Sequence, residues 1–398
     1  MAYFSRRRFL QFTGASALGA LTPILSFDDV ARAAAATPLP LGTPILVVVT
    51  LYGGNDGLNT VVPYQDPIYS SSRPGLSLSG PQVLPLGQGL ALNASMKGMK
   101  ALWDQQQLAI VLGVGYPQPN RSHFSSMAIW QTASPVEQVS SGWIGRWLDT
   151  QPRDPMRAIG IGSVLTPLLA GERRSASMLP SGGLVVPTGT LATQTMQLGQ
   201  PSRFDSPIAA DAASAIDDLY AVSSTVDPVL AGQAPNASNV LAQQLGVVAS
   251  LIGANVPTRV WSVTLGGFDT HADELGQQTA LLGVVSDAVA GFLAKVGMTS
   301  RANDVVVLVY SEFGRRVAAN ASNGTDHGTA GPVFVAGHRV LGGFYGAQPS
   351  LSQLVNGDLA VTTDFRDVYA SMLEGVLGTD PSQVISGWNT KLTLTTSG

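Results

Sequence analysis

The sequence predicts an α/β fold, with a mostly parallel central sheet flanked by helices. Three observations predict it. Apolar, β-branched runs recur without polar alternation, the pattern of strands buried on both faces. Helical patterns fall between these runs, the order expected when parallel strands are joined by crossovers. Polar, glycine-rich motifs follow several runs directly, and open α/β sheets bind ligands at the carboxyl ends of their strands.

The strand candidates are Ile45–Leu51, Leu108–Val114, Arg259–Leu265, Asp304–Tyr310 and Pro332–Ala336. Between them, Asp273 to Val296 carries the clearest helical stripe, with Leu275, Leu282, Val285, Val289, Phe292 and Leu293 on one broad apolar face. Ser122–Thr132, Pro207–Val222, Ser238–Ile252 and Phe365–Leu377 are further helix candidates. The stretch from about Gly160 to Pro207 is rich in Gly, Ser, Thr and Pro, with short apolar pieces such as Gly183-Leu184-Val185-Val186-Pro187. It reads as an irregular excursion beside the sheet. Residues 36–398 are therefore expected to form one domain carrying this excursion near 160–207.

Residues 1–35 read as an export leader. Ser5-Arg6-Arg7-Arg8-Phe9-Leu10 opens a moderately apolar stretch that runs to Phe27, and Ala31-Arg32-Ala33 offers small residues for a signal peptidase. The paired arginines point to the twin-arginine route, with its translocation machinery as partner and a periplasmic or extracellular destination. Cleavage after Ala33 removes four arginines and two aspartates, taking the net charge from −4 to −6. That balance excludes nucleic acid as a partner, which needs a concentrated basic patch. The chain has no cysteine, so disulfides, thiolate metal sites and cysteine nucleophiles are all excluded. Any metal must be held by oxygen and imidazole. No apolar run after the leader reads as long enough to span a bilayer, which takes about 20 residues, so no stable membrane insertion is expected after cleavage.

Only 12% of residues are charged, against about 25% in typical soluble domains. Charges gathered beside glycines therefore stand out. Asp269 and His271 follow a strand two residues apart, and in extended backbone such side chains point the same way, toward a common ion. The alternative is an Asx turn with a solvated histidine. Asp326 and His327 lie in a glycine-containing loop and are either ligands or a supporting pair. Glu312 ends a strand and is either a ligand or the partner of Arg315 or Arg316. Asp56, in Gly53-Gly54-Asn55-Asp56-Gly57, is either a ligand or a turn residue. Ser122, in Asn120-Arg121-Ser122-His123-Phe124, is either an N-cap bonding the Ser125 amide or a hydroxyl nucleophile at a helix N-terminus. Arg121 and His123 would then flank a bound anion. His338 is given no role.

In this order, Leu51-Tyr52-Gly53-Gly54-Asn55-Asp56-Gly57-Leu58-Asn59, Asn120-Arg121-Ser122-His123-Phe124, Gly267-Phe268-Asp269-Thr270-His271, Tyr310-Ser311-Glu312-Phe313-Gly314-Arg315 and Asp326-His327-Gly328-Thr329-Ala330 resemble a family of twin-arginine-exported proteins of unknown function. That family falls within the alkaline phosphatase and sulfatase superfamily. The resemblance implies an alkaline phosphatase-like fold with a two-metal centre at the carboxyl edge of the sheet. By this likeness Asp56 and Glu312 belong to one metal, and Asp269, His271 and His327 to the other, with Ser122 as nucleophile. The chain departs from the better-known phosphatases at Glu312-Phe313, where they carry an adjacent Asp-His pair. His123 or Asp326 is then the substitute ligand, or that position is empty.

These readings combine into an expected hydrolase of small phosphate or sulfate esters. Two divalent ions about 4 Å apart would clamp the attacking and leaving oxygens, while Arg121 or Arg315 binds the equatorial oxygens through paired donors. Imidazole with carboxylate suits zinc, and carboxylate-rich coordination suits magnesium, manganese or calcium. The rival expectation is a non-catalytic envelope protein on the same scaffold. An oxidoreductase ranks last, because no G-x-G-x-x-G follows a strand.

Overall fold

A computed structural model describes residues 38–137, 139–152, 154, 156–180 and 239–396. The leader, the helix expected at Pro207–Val222 and the part of the excursion after 180 lie outside these residues. A nine-stranded sheet is built from β1 (Ile45–Leu51), β5 (Leu108–Gly115), β6 (Ala158–Ile161), β7 (Ser177–Leu179), β8 (Val260–Leu265), β9 (Val305–Ser311), β10 (Gly331–Ala336), β11 (Gly343–Tyr345) and β12 (Thr363–Asp364). Its order is β11-β5-β10-β9-β1-β8-β6-β7, with β12 on β5. Three short strands, β2 (Val61–Val62), β3 (Val83–Gly87) and β4 (Leu90–Asn93), form a separate antiparallel sheet that the sequence reading did not anticipate.

The continuous apolar runs have the cause inferred for them. In β1, Val47 and Val49 face one cluster while Leu46 and Val48 face the other, and all four are fully buried. Burying each such side chain stabilises by about 1.5–3 kcal/mol, so both faces favour apolar residues. One face is covered by α3 (Lys97–Asp104), α6 (Val240–Gly253) and α7 (Glu274–Gly297). The other is covered by α4 (His123–Thr132), α5 (Trp143–Thr150) and α8 (Phe365–Gly375). Two short helices, α1 (Gly57–Thr60) and α2 (Pro67–Ser72), precede the small sheet.

The observed fold is α/β with a mostly parallel sheet, as expected, but the sheet is mixed. β10 runs antiparallel to both β9 and β5. The reason is the connection: residues 312–330 return as a hairpin-like loop with no crossover helix, and only an antiparallel strand can follow such a return. The excursion also needs correction. Its first part supplies β6 and β7, which extend the sheet in parallel beyond β8. By length and composition α7, at 24 residues, is apolar enough to cross a membrane, contrary to expectation. Here its Leu282, Val285, Val289, Phe292 and Leu293 pack into the core instead.

Candidate metal centre

The loops after β1, β8 and β9 meet at the carboxyl edge of the sheet. Gly53 lies at φ +118°, and a Cβ there would stand 2.4 Å from the backbone nitrogen of Asp269. A Cβ on Gly54 would strike the Phe313 ring at 2.2 Å. The glycine pair thus lets three loops touch where any side chain would hold them apart. Arg315, wholly buried, laces them together. Its Nε donates to the Gly54 carbonyl at 2.7 Å, Nη1 to Thr325 at 3.0 Å, and Nη2 to Phe268 at 3.0 Å and to Gly53. Nη2 also reaches Asp269 Oδ1 at 2.7 Å.

Three imidazoles converge on that same oxygen. Asp269 Oδ1 lies 3.0 Å from His271 Nε2, 3.2 Å from His327 Nε2 and 3.2 Å from His123 Nε2. The outer nitrogen of each ring faces an acceptor. His327 Nδ1 is 2.7 Å from the Arg121 carbonyl, His123 Nδ1 is 2.8 Å from Glu312 Oε1, and His271 Nδ1 is 3.4 Å from Asp326 Oδ1. A carbonyl can only accept, so Nδ1 of His327 carries its hydrogen and Nε2 presents a lone pair. The carboxylates impose the same tautomer on the other two rings. This is how proteins orient metal-binding histidines.

The inner atoms show what is missing between them. His271 Nε2 and His327 Nε2 stand 2.9 Å apart, which sets two lone pairs facing each other beside an anionic oxygen. His123 Nε2 is buried without a hydrogen-bond partner. Such a set repels itself unless a cation or protons lie at its centre. Ligand atoms of His123, Asp269 and His327 all fall within 4.8 Å of one another, and His271 Nε2, outside that trio, is 3.0 Å from Asp269 Oδ1 and 2.9 Å from His327 Nε2. Three imidazoles and one carboxylate fit a divalent ion of zinc's preferences.

The electrostatics agree. Burial is the largest single influence on Asp269 and favours the neutral acid, but Arg315, His327 and His123 outweigh it and hold the carboxyl far below its ordinary range. Burial likewise opposes a charged His123, yet Glu312 and Asp269 prevail and raise it. His327 is lowered, by burial first and then by the charges of His123 and Arg315. Asp326 is lowered, chiefly by the bond from Asn320.

The structure brings together Asp269, His271 and His327, with Asp326 behind His271. It also brings in His123, one of the two residues expected as a substitute ligand. Glu312 is buried behind His123: it accepts from the Gly53 amide and the Ser311 hydroxyl at 2.8 Å each, so it orients a ring and does not face the cluster's centre. Asp56, Arg315 and Arg121 already have partners within the protein. Asp56 points away into the core, where its carboxylate caps α1 and pairs with Arg73 Nη1 at 2.5 Å, both side chains fully buried. Arg315 has its donors engaged within the protein and offers no paired donors to an ester. The Arg121 guanidinium is paired with the buried Asp358. Ser122 occupies the N-cap position of α4, exposed, but makes no cap bond, so the expected contact with Ser125 is not formed. His338 lies elsewhere, against Gln107.

Beside Asp56 is a second polar cluster that the sequence reading missed. Glu274 Oε2 accepts from Thr325 at 2.6 Å, while Oε1 is buried without a hydrogen-bond partner. Burial first, then the Asp56 charge, pushes the Glu274 carboxyl up to about 9.

A family model described as "Protein of unknown function (DUF1501)" matches residues 189–396, just over half of the sequence, and the chain belongs to that family. No curated protein sequence matches it. Among solved structures, a protein in the alkaline phosphatase superfamily from Vibrio parahaemolyticus is similar at 10% identity and TM-score 0.42, covering 96% of this chain and 78% of that one. The zinc complex of the C-terminal periplasmic domain of EcEptC from Escherichia coli gives 10% identity, coverage of 76% and 77%, and TM-score 0.38. Phosphonate monoester hydrolase SpPMH from Silicibacter pomeroyi gives 11%, 87% and 78%, and 0.31. At such identities and scores, function has to be argued from the chain's own residues.

Proposed function

We propose that this member of the DUF1501 family is an exported, metal-dependent hydrolase of small phosphate or sulfate esters on an alkaline phosphatase-like scaffold. One observation carries the reading: three Nε2 atoms with fixed outer nitrogens converge on Asp269 Oδ1. His123, His271, His327 and Asp269 would hold one divalent ion, with zinc preferred and magnesium, manganese or calcium as alternatives. Such an ion supplies Lewis acidity toward an anionic ester. Among the described residues no second ligand set of this kind forms, so the proposal is a one-ion centre rather than the expected pair.

Ser122 is the proposed nucleophile. Its hydroxyl is free of a cap bond at the N-terminus of α4, where the helix dipole favours developing negative charge. Its Oγ would bond to phosphorus or sulfur as the ester alcohol departs with a proton, and water would then release the acid and restore the serine. Asp326 and Glu312 hold two of the imidazoles in register throughout. The twin-arginine machinery would deliver the folded chain to the periplasm or beyond.

A second reading is a metal-binding envelope protein without turnover. The engagement of Arg121 with Asp358 and of Arg315 with backbone favours it, since neither guanidinium is free to grip an ester. Elemental analysis and p-nitrophenyl phosphate and sulfate assays separate the two. One ion per chain in protein purified without chelator, lost in His271→Ala, supports the centre. Turnover abolished in Ser122→Ala with the ion retained supports the hydrolase. No stoichiometric metal in the parent protein overturns it, and a bound ion without turnover on any ester selects the envelope reading.

A further inference from the structure

A cavity of about 300 Å³ opens beside the metal centre, at the carboxyl ends of β8 and β6. Tyr52, Ile161, Thr166, Met178, Ser262 and Thr264 line it. Its lining contains methyl groups and hydroxyls and no charged side chain. The cavity's position follows from sheet geometry. Val260 packs on the face covered by α4, so Ser262 and Thr264, two and four residues on, share that face. Leu46 and Val48 place Tyr52 on it by the same rule, and Glu312 meets His123 and Ser126 of α4 there.

The cavity and the His123 side of the centre are therefore on one side of the sheet at one edge. Thr264 pairs with Thr50, and Thr50 with Tyr310, so the cavity floor lies two strand spacings, about 10 Å, from the strand that carries Glu312. Tyr52 lies between them. The next residue, Gly53, donates directly to Glu312. An ester whose anionic end sits at the histidines would span this gap with its organic part.

We infer that this cavity binds the alcohol portion of the substrate, and that the alcohol is an uncharged group of aryl or monosaccharide size. This rests on the hydrolase reading. The chemistry selects the class: burying a charge against methyl groups with no counter-ion is costly, whereas a neutral ring with a hydroxyl finds apolar wall and hydrogen-bond partners together. The volume is at the lower end for small-molecule pockets, which run from about 300 to 1,000 Å³.

The test uses the alcohol alone, so it does not depend on turnover. Fluorine NMR would follow titration of the full chain with 4-fluorophenol, 4-fluorobenzylammonium and 4-fluorobenzoate. Saturable binding of the phenol is expected, at least tenfold tighter than either ion. Thr264→Phe should weaken it at least tenfold without changing metal content. Val164→Trp, on the exposed rim of the cavity, is the second variant should the first not fold. Equal binding of all three probes, binding unchanged in a folded variant, or no saturable binding would each overturn the inference. Failure of the hydrolase reading registers separately, as absence of metal or of ester turnover.

Discussion

Two aspartates follow two neighbouring strands in this protein, and their fates differ. Asp56 comes after β1 and Asp269 after β8, each in a glycine-bearing turn and each touched by a guanidinium. Asp56 is sealed in the core, where the Arg73 guanidinium and the Leu58 amide satisfy its carboxylate. Asp269 is half exposed, and its Oδ1 is shared by Arg315 Nη2 and three imidazole nitrogens. The first carboxylate is satisfied by the protein alone. The second gathers three imidazoles at one oxygen, the arrangement proposed to hold an ion.

Removing the internal cation is the most direct way to break this contrast. Arg73→Met leaves a buried carboxylate uncompensated, which costs about 3–5 kcal/mol, read as a lowered urea midpoint. Metal content of the fraction that remains folded should not change. A loss under 1 kcal/mol would mean that Asp56 is not held as described. Weakening the other side should leave stability largely alone. Glu312→Gln removes the charge that orients His123 and should reduce ion affinity about 10- to 100-fold, measured by competition with a chelator. Unchanged affinity would take His123 out of the ligand set.

The smallest expected effect is on pH dependence. Glu274 has a folded pKa raised from its ordinary 4.5 to about 9. Its contribution is therefore complete below the ordinary value and is lost as pH rises toward the folded one. Between those limits the parent protein should lose thermal stability with rising pH. Glu274→Gln can accept from Thr325 and donate to Asp56 without a titrating proton, so its melting temperature should fall less over the same range. Parallel curves for the two proteins would show that Glu274 is ionised in the fold.

The comparison also marks how far the sequence could be read. β1, β5, β8, β9 and β10 were legible to within a residue at each end, because burial on both faces leaves them predominantly apolar and without charged residues. β6 and β7 were not, since strands of four and three residues among glycines and serines carry too little pattern. The direction of β10 depends on what its connecting loop does, which local sequence does not encode. In the site, Asp269, His271 and His327 were legible from placement after strands and in a glycine loop. Asp56 satisfied the same rule and fails it, because the deciding partner is Arg73, a turn residue with no local signal of burial. His123 was named only as a substitute ligand, because a helix start also suits a residue that flanks an anion.

The four proposed ligands come from three loops far apart in the chain. The bond from His327 to the Arg121 carbonyl alone spans 206 residues. Joining such segments requires closure of long loops, an entropic barrier met before any of these contacts forms. The binding pocket for an ion therefore exists only once β5, β8, β9 and the returning hairpin are assembled. An ion cannot seed this architecture, but once captured it ties its most distant segments together. In a chain without a single cysteine it would act as a late-installed cross-link, slowing unfolding and proteolysis more than it speeds folding.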